Sequence, residues 1–137
     1  MYKLNILPIV KEDIKIVGVS SKNAATKIVA LLEQLNTNQE LLGYLLEHNC
    51  GEPEKDLFNV SKWQAYWQNG YDLWRLKLFN LENVGLRYRI IYAYALENSV
   101  QIFYILAIVH RDFDYDPTHE ITKRLIHSYV ELGIGNA

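Results

Sequence analysis

The order of apolar and polar positions divides the chain into strands at both ends of a helical stretch, and a final helix. Residues 2–9, YKLNILPI, form a short run apolar enough for a half-buried strand, with Pro8 confining it to an edge or to the strand's end. A short helical turn through KEDIKIVG follows and stops near Gly18, leaving Ser20, Ser21 and Asn23 as N-cap candidates for the next helix. From Ala24 to about His48 the apolar positions Ala25, Ile28, Val29, Leu32 and Leu35, then Leu41, Leu42, Leu45 and Leu46, recur every three or four residues. That spacing predicts an amphipathic helix, broken near Asn36–Asn38 where weak helix formers meet, and so a helical hairpin or one kinked helix.

The Gly and Pro of CGEPEKD mark a loop. The next segment, LFNVSKWQAYWQNGYD, is rich in aromatics but has no clear period, and its Asn69-Gly70 is a hairpin signal between two strands. Trp74–Phe79 alternates Trp74, Leu76 and Leu78 against Arg75, Lys77 and Phe79, which predicts a strand whose Trp74 face is buried. Leu86–Leu96 alternates Leu86, Tyr88, Ile90, Tyr92 and Tyr94 against Arg87, Arg89, Ile91 and Ala93. Val100–Val109 is apolar almost throughout, as a central strand covered on both faces must be. The short turns NLENVG and ENS make these three strands an antiparallel meander. A last helix starts at Pro117 with Asp116 as its cap, presents Ile121, Leu125, Ile126 and Tyr129 on one face, and stops at Gly133. The expectation is one α+β domain over residues 1–137: an N-terminal strand, a helical hairpin, a twisted antiparallel sheet and a C-terminal helix.

Charge changes this picture more than composition does. With 14 Lys and Arg against 16 Asp and Glu the net charge is −2, and the two halves, 1–70 and 71–137, each hold 7 basic and 8 acidic residues. A protein that grips nucleic acid through phosphate neutralisation is usually basic overall, so any such site here must be a local cluster. No apolar run reaches the length of a membrane span, and Lys11, Glu12 and Asp13 interrupt what a secretory signal would need, so a cytoplasmic protein with no membrane partner is expected. The single cysteine, Cys50, excludes a disulfide framework and a cysteine zinc site, and reads as an incidental loop residue.

The local cluster is visible in the strand parity. Arg75 and Lys77 share one face of their strand, Arg87 and Arg89 share one face of the next, and no acid interleaves them. Four cations on adjacent strands favour a phosphate-binding patch over an ordinary solvated face. His110 and Arg111 leave the central strand together and Tyr115 follows in the next loop, where a rigid sheet positions exposed side chains. Histidine carries protons near neutrality, arginine holds phosphate with two hydrogen bonds, and tyrosine stacks on a base.

These pieces, Trp74-Arg75-Leu76-Lys77-Leu78, Tyr88-Arg89-Ile90-Ile91-Tyr92 and His110-Arg111 with Tyr115 four residues on, resemble in order and spacing the C-terminal half of RelE/ParE toxins. The resemblance covers about residues 74–131. It implies a toxin of a bacterial toxin–antitoxin pair, neutralised by a cognate antitoxin, that cuts messenger RNA on the ribosome with neither a metal nor a cofactor. In that mechanism the RNA 2′-hydroxyl attacks, while the protein stabilises charge and moves protons. By resemblance Arg75, Lys77, Arg89 and Arg111 bind the phosphate, His110 carries the proton and Tyr115 stacks; Arg87 joins them only for its face. The ParE branch implies an alternative, inhibition of DNA gyrase or another protein by contact alone. The aromatics Trp63, Tyr66 and Trp67 suit either an antitoxin contact or a place in the core.

Overall fold

The structure, a computed structural model, describes residues 1–68, 70–111 and 119–133. It is mixed α+β, with helices and a five-stranded sheet. Strand β1 (Tyr2–Ile6) leads into helices α1 (Ile9–Ser20), α2 (Lys22–Thr37) and α3 (Gln39–Tyr44). Then come β2 (Phe58–Lys62), the single turn α4 (Gln64–Trp67), β3 (Leu73–Leu78) and the single turn α5 (Phe79–Glu82). Strands β4 (Tyr88–Glu97) and β5 (Val100–His110) and helix α6 (Glu120–Glu131) complete the order.

The sheet runs β1-β5-β4-β3-β2. Strands β2 to β5 form an antiparallel meander, but β1 lies parallel to β5, with Leu4 opposite Phe103, so the sheet is not purely antiparallel as expected. Helices α1, α2 and α3 carry the chain from β1 at one edge of the sheet to β2 at the other, and the meander brings it back to β5 beside β1. Helices α1 and α2 pack on one face, where Val10, Val17, Ala24, Ile28 and Leu35 meet Trp74, Leu76, Ile90, Tyr92, Phe103 and Ile105. On the opposite face Leu125 and Tyr129 of α6 meet Leu73, Ile91, Ala93, Tyr104, Leu106 and Ala107. Strand β5 is buried from Ile102 to Val109, as its unbroken apolar run predicts for a strand covered on both sides.

Several local features have direct chemical causes. Ser21 caps α2 by accepting the Ala24 N–H through its side chain at 3.1 Å. The break near Asn36–Asn38 is real: α2 ends at Thr37, and the Asn38 side chain accepts the Leu41 N–H at 3.1 Å to start α3. That second helix stops at Tyr44, short of His48. The stretch read as a short turn ending near Gly18 is a full helix of 12 residues, α1, with Gly18 inside it. A Cβ at Gly18 would sit at ordinary contact distance, 3.7 Å, from that of Ala25, so Gly18 is an interior helix residue and does not end a helix.

The aperiodic aromatic segment holds β2 and α4. Strands β2 and β3 do pair antiparallel, yet they are joined through α4 in place of a two-residue Asn-Gly turn; Asn69 lies outside the described residues. Trp63 is buried, and half-buried Trp67 packs against the core, with its indole N–H donating to the Leu73 carbonyl at 3.0 Å. These tryptophans therefore serve the core. In α6 the His119 ring nitrogen caps the Ile121 N–H, while Asp116 and Pro117 fall outside the described residues. No helix among the described residues is long and apolar enough to cross a membrane.

Candidate functional site: a cationic sheet face

Strand alternation and register bring three of the expected cations together. On β3, Leu73 belongs to the core under α6, so Arg75 and Lys77, both half-buried, point to that same face. On β4, Ile91 and Ala93 also face α6, which puts Arg89 on this side, opposite Val109 of β5. Arg75 pairs with Ile91 across the β3–β4 ladder, and Lys77 pairs with Asn59 across β2–β3. The Arg75 guanidinium donates to the Asn59 side-chain oxygen at 3.2 Å.

The three charges act on one another. Partial burial, then the positive charges of Arg75 and Arg89, push the Lys77 ammonium below its ordinary pKa, and Glu82 works against that shift. Arg89 itself is closed in. Its side chain is 8% exposed, its Nη2 lies 2.9 Å from Glu82 Oε1, and its Nη1 donates to the Tyr88 carbonyl at 3.1 Å. Glu82 Oε2 is buried and accepts no hydrogen bond among the described residues. The face thus has an acid after all. Sequence reading missed it because Glu82 stands in the β3–β4 connection, taken as a plain turn, whereas α5 folds it back over the sheet.

The other expected residues are placed differently. Arg111 follows directly on β5, and its N–H donates to the carbonyl of exposed Arg87 at 2.7 Å, so these two lie side by side at one end of the sheet. His110 pairs with Tyr88, and their rings meet edge to face with centroids 5.1 Å apart. Tyr88 belongs to the core under α1 and α2. His110 therefore points to the face opposite Arg89, because neighbouring strand residues alternate sides; the structure does not bring its ring to Arg75, Lys77 and Arg89. Tyr115 lies outside the described residues.

Other candidate chemistry is apart from this face. A cleft of about 350 Å³ between α3 and the segment leading to β2 is lined by Leu41, Tyr44, Cys50, Leu57 and Phe58 among others, none of them a residue of the cationic cluster. Burial, then Glu47 and Asp56, raise the Cys50 thiol's pKa, the opposite of what a reactive thiolate needs. Among the described residues no three His, Cys, Asp or Glu side chains are grouped to hold a metal ion.

No family model, no curated protein and no solved structure matches this chain.

Proposed function

We propose that the protein is a growth-arresting toxin of the RelE/ParE kind, held in check by a cognate antitoxin, whose Arg75–Lys77–Arg89 face binds and cleaves messenger RNA. The observation that carries the reading is Lys77: an amine between two arginines, with its pKa lowered by burial and by those charges. Such a lysine stabilises a phosphorane-like transition state as a cation and delivers a proton to the leaving 5′-oxygen more readily than an ordinary lysine. Arg75 and Arg89 hold the phosphate, and the RNA's own 2′-hydroxyl is the nucleophile: its proton passes to water as its oxygen bonds phosphorus and the bond to the 5′-oxygen breaks. The products are a 2′,3′-cyclic phosphate and a 5′-hydroxyl end. The proton-transfer role expected of His110 falls to Lys77, because the His110 ring faces the other side of the sheet.

The Arg89–Glu82 pair favours a second reading, a toxin that blocks gyrase or another protein partner without catalysis. A guanidinium already paired to a carboxylate is a poorer phosphate receptor, whereas such a pair suits a rigid binding surface. Induction from a tight promoter in a bacterial host separates the two. The ribonuclease reading expects growth arrest with cut messages, lost in Lys77→Ala. Arrest with intact messages and broken DNA supports the second reading, and unimpeded growth contradicts both.

A further inference from the structure

We infer that Glu82 is a built-in stand-in for phosphate: its carboxylate occupies the donors of Arg89 and must leave before a phosphate can bind there. The inference rests on the reading of this face as a phosphate site. Arg89 is almost wholly enclosed, and Glu82 holds its Nη2 at 2.9 Å while the Tyr88 carbonyl takes Nη1. Guanidinium donors suit carboxylate and phosphate oxygens alike, so the two anions compete for one set of N–H groups.

The contact is also incompletely satisfied. Glu82 Oε2 is buried without a hydrogen bond among the described residues, while the Lys77 ammonium is near enough to feel the Glu82 charge. A buried acceptor with no donor is an unfavourable state, and exchange for an anion that reaches Arg75, Lys77 and Arg89 together relieves it. The hinge needed is small. Phe79 and Leu81 of α5 are buried and hold the turn, whereas the Glu82 side chain is 20% exposed. Rotation of that side chain outward opens Arg89 and leaves the anchors of α5 in place. With the carboxylate in, the cluster of Arg75, Lys77, Arg89 and Glu82 carries one positive charge fewer, which disfavours stray anions. A polyanionic RNA, attracted by many phosphates, is better able to displace it than a single small anion.

The test measures binding of inorganic phosphate, and of a 2′-O-methylated uridine dinucleotide that cannot be cut, to the full chain and to Glu82→Gln. Titrations are followed by calorimetry and backbone amide shifts, with thermal unfolding of each variant recorded alongside. Glu82→Gln should bind both probes about tenfold more tightly than the wild type, and Lys77→Ala placed in the same chain should remove most of that gain. Equal affinity in wild type and Glu82→Gln overturns the inference and leaves the phosphate reading of the face standing. Binding by neither chain overturns the phosphate reading, and the inference with it. A Glu82→Gln chain that does not fold, even in added phosphate, makes Glu82 a structural anchor and likewise overturns the inference.

Discussion

The carboxylate of Asp13 receives both terminal nitrogens of Arg124, at 2.8 and 2.7 Å, and also accepts the backbone N–H of Ile108 at 3.0 Å. Asp13 belongs to α1 and Arg124 to α6, so one ion pair ties together the helices that cover opposite faces of the sheet. The pairing of β1 with β5 ends at Ile105, and Asp13 takes the place of a neighbouring strand for the Ile108 N–H beyond it. Arg124 also reaches the carbonyl of Leu106 at 3.3 Å, the extra β5 residue where the register with β4 shifts between Ile91 and Tyr92.

Removing either partner leaves the other charge inside the fold. Arg124→Ala is expected to lower stability by about 3 kcal/mol. Asp13→Ala should cost more, because the Ile108 N–H then loses its acceptor as well. Urea unfolding of both single variants and the double variant checks this. Additive losses would contradict a direct clasp.

The β4–β5 turn carries a removable strain. Asn98 and Ser99 have φ of 50° and 68°, the left-handed pair of a tight hairpin, and serine adopts that region less readily than glycine. Ser99→Gly should raise stability by about 0.5 kcal/mol, the relief exceeding the entropy that glycine adds to the unfolded chain. Thermal unfolding should show a modest rise in midpoint; a fall would mean that the Ser99 side chain holds the turn.

Tyr92 couples the sheet to the helices. Its hydroxyl donates to the Leu45 carbonyl at 2.6 Å inside the core, and burial, followed by the charge of Asp72, pushes its pKa well above the ordinary value. Tyr92→Phe leaves that carbonyl without its donor and should cost about 1–2 kcal/mol. A folded-state pKa above the unfolded one means that Tyr92 affects the pH dependence only above about pH 10. There the unfolded chain loses this proton and the folded chain keeps it, so stability falls as pH rises. The fall between pH 10 and 11 should be shallower in Tyr92→Phe, and an equal slope in the two chains would contradict the assignment.

The parts of the fold governed by local periodicity were legible in the sequence. The buried side of β3, the doubly covered β5 and the break at Asn38 followed from alternation, an apolar run and a cluster of weak helix formers. What escaped depends on contacts between distant segments. Helix α1 continues through Gly18 because its buried face, Val10, Asp13 and Val17, packs on the rest of the fold, and β2 hides its parity behind Asn59, Ser61 and Lys62, an edge strand with little apolar pattern. The shared face of Arg75, Lys77 and Arg89 was readable from strand parity alone. Glu82 was not, since only folding turns α5 back to set its carboxylate on Arg89. The grouping of His110 with those cations followed sequence neighbours and overlooked the alternation that turns His110 to the face opposite Arg89.

The reading of the cationic face as a ribonuclease site stands or falls on the chemistry of its product. Purified protein is incubated with ribosomes translating a defined message, and the new RNA ends are mapped and tested for 2′,3′-cyclic phosphate. The account predicts cut messages with cyclic phosphate ends, and a rate lowered about a hundredfold or more in a folded Lys77→Ala chain. Uncut messages, or cutting by Lys77→Ala at the wild-type rate, would contradict it.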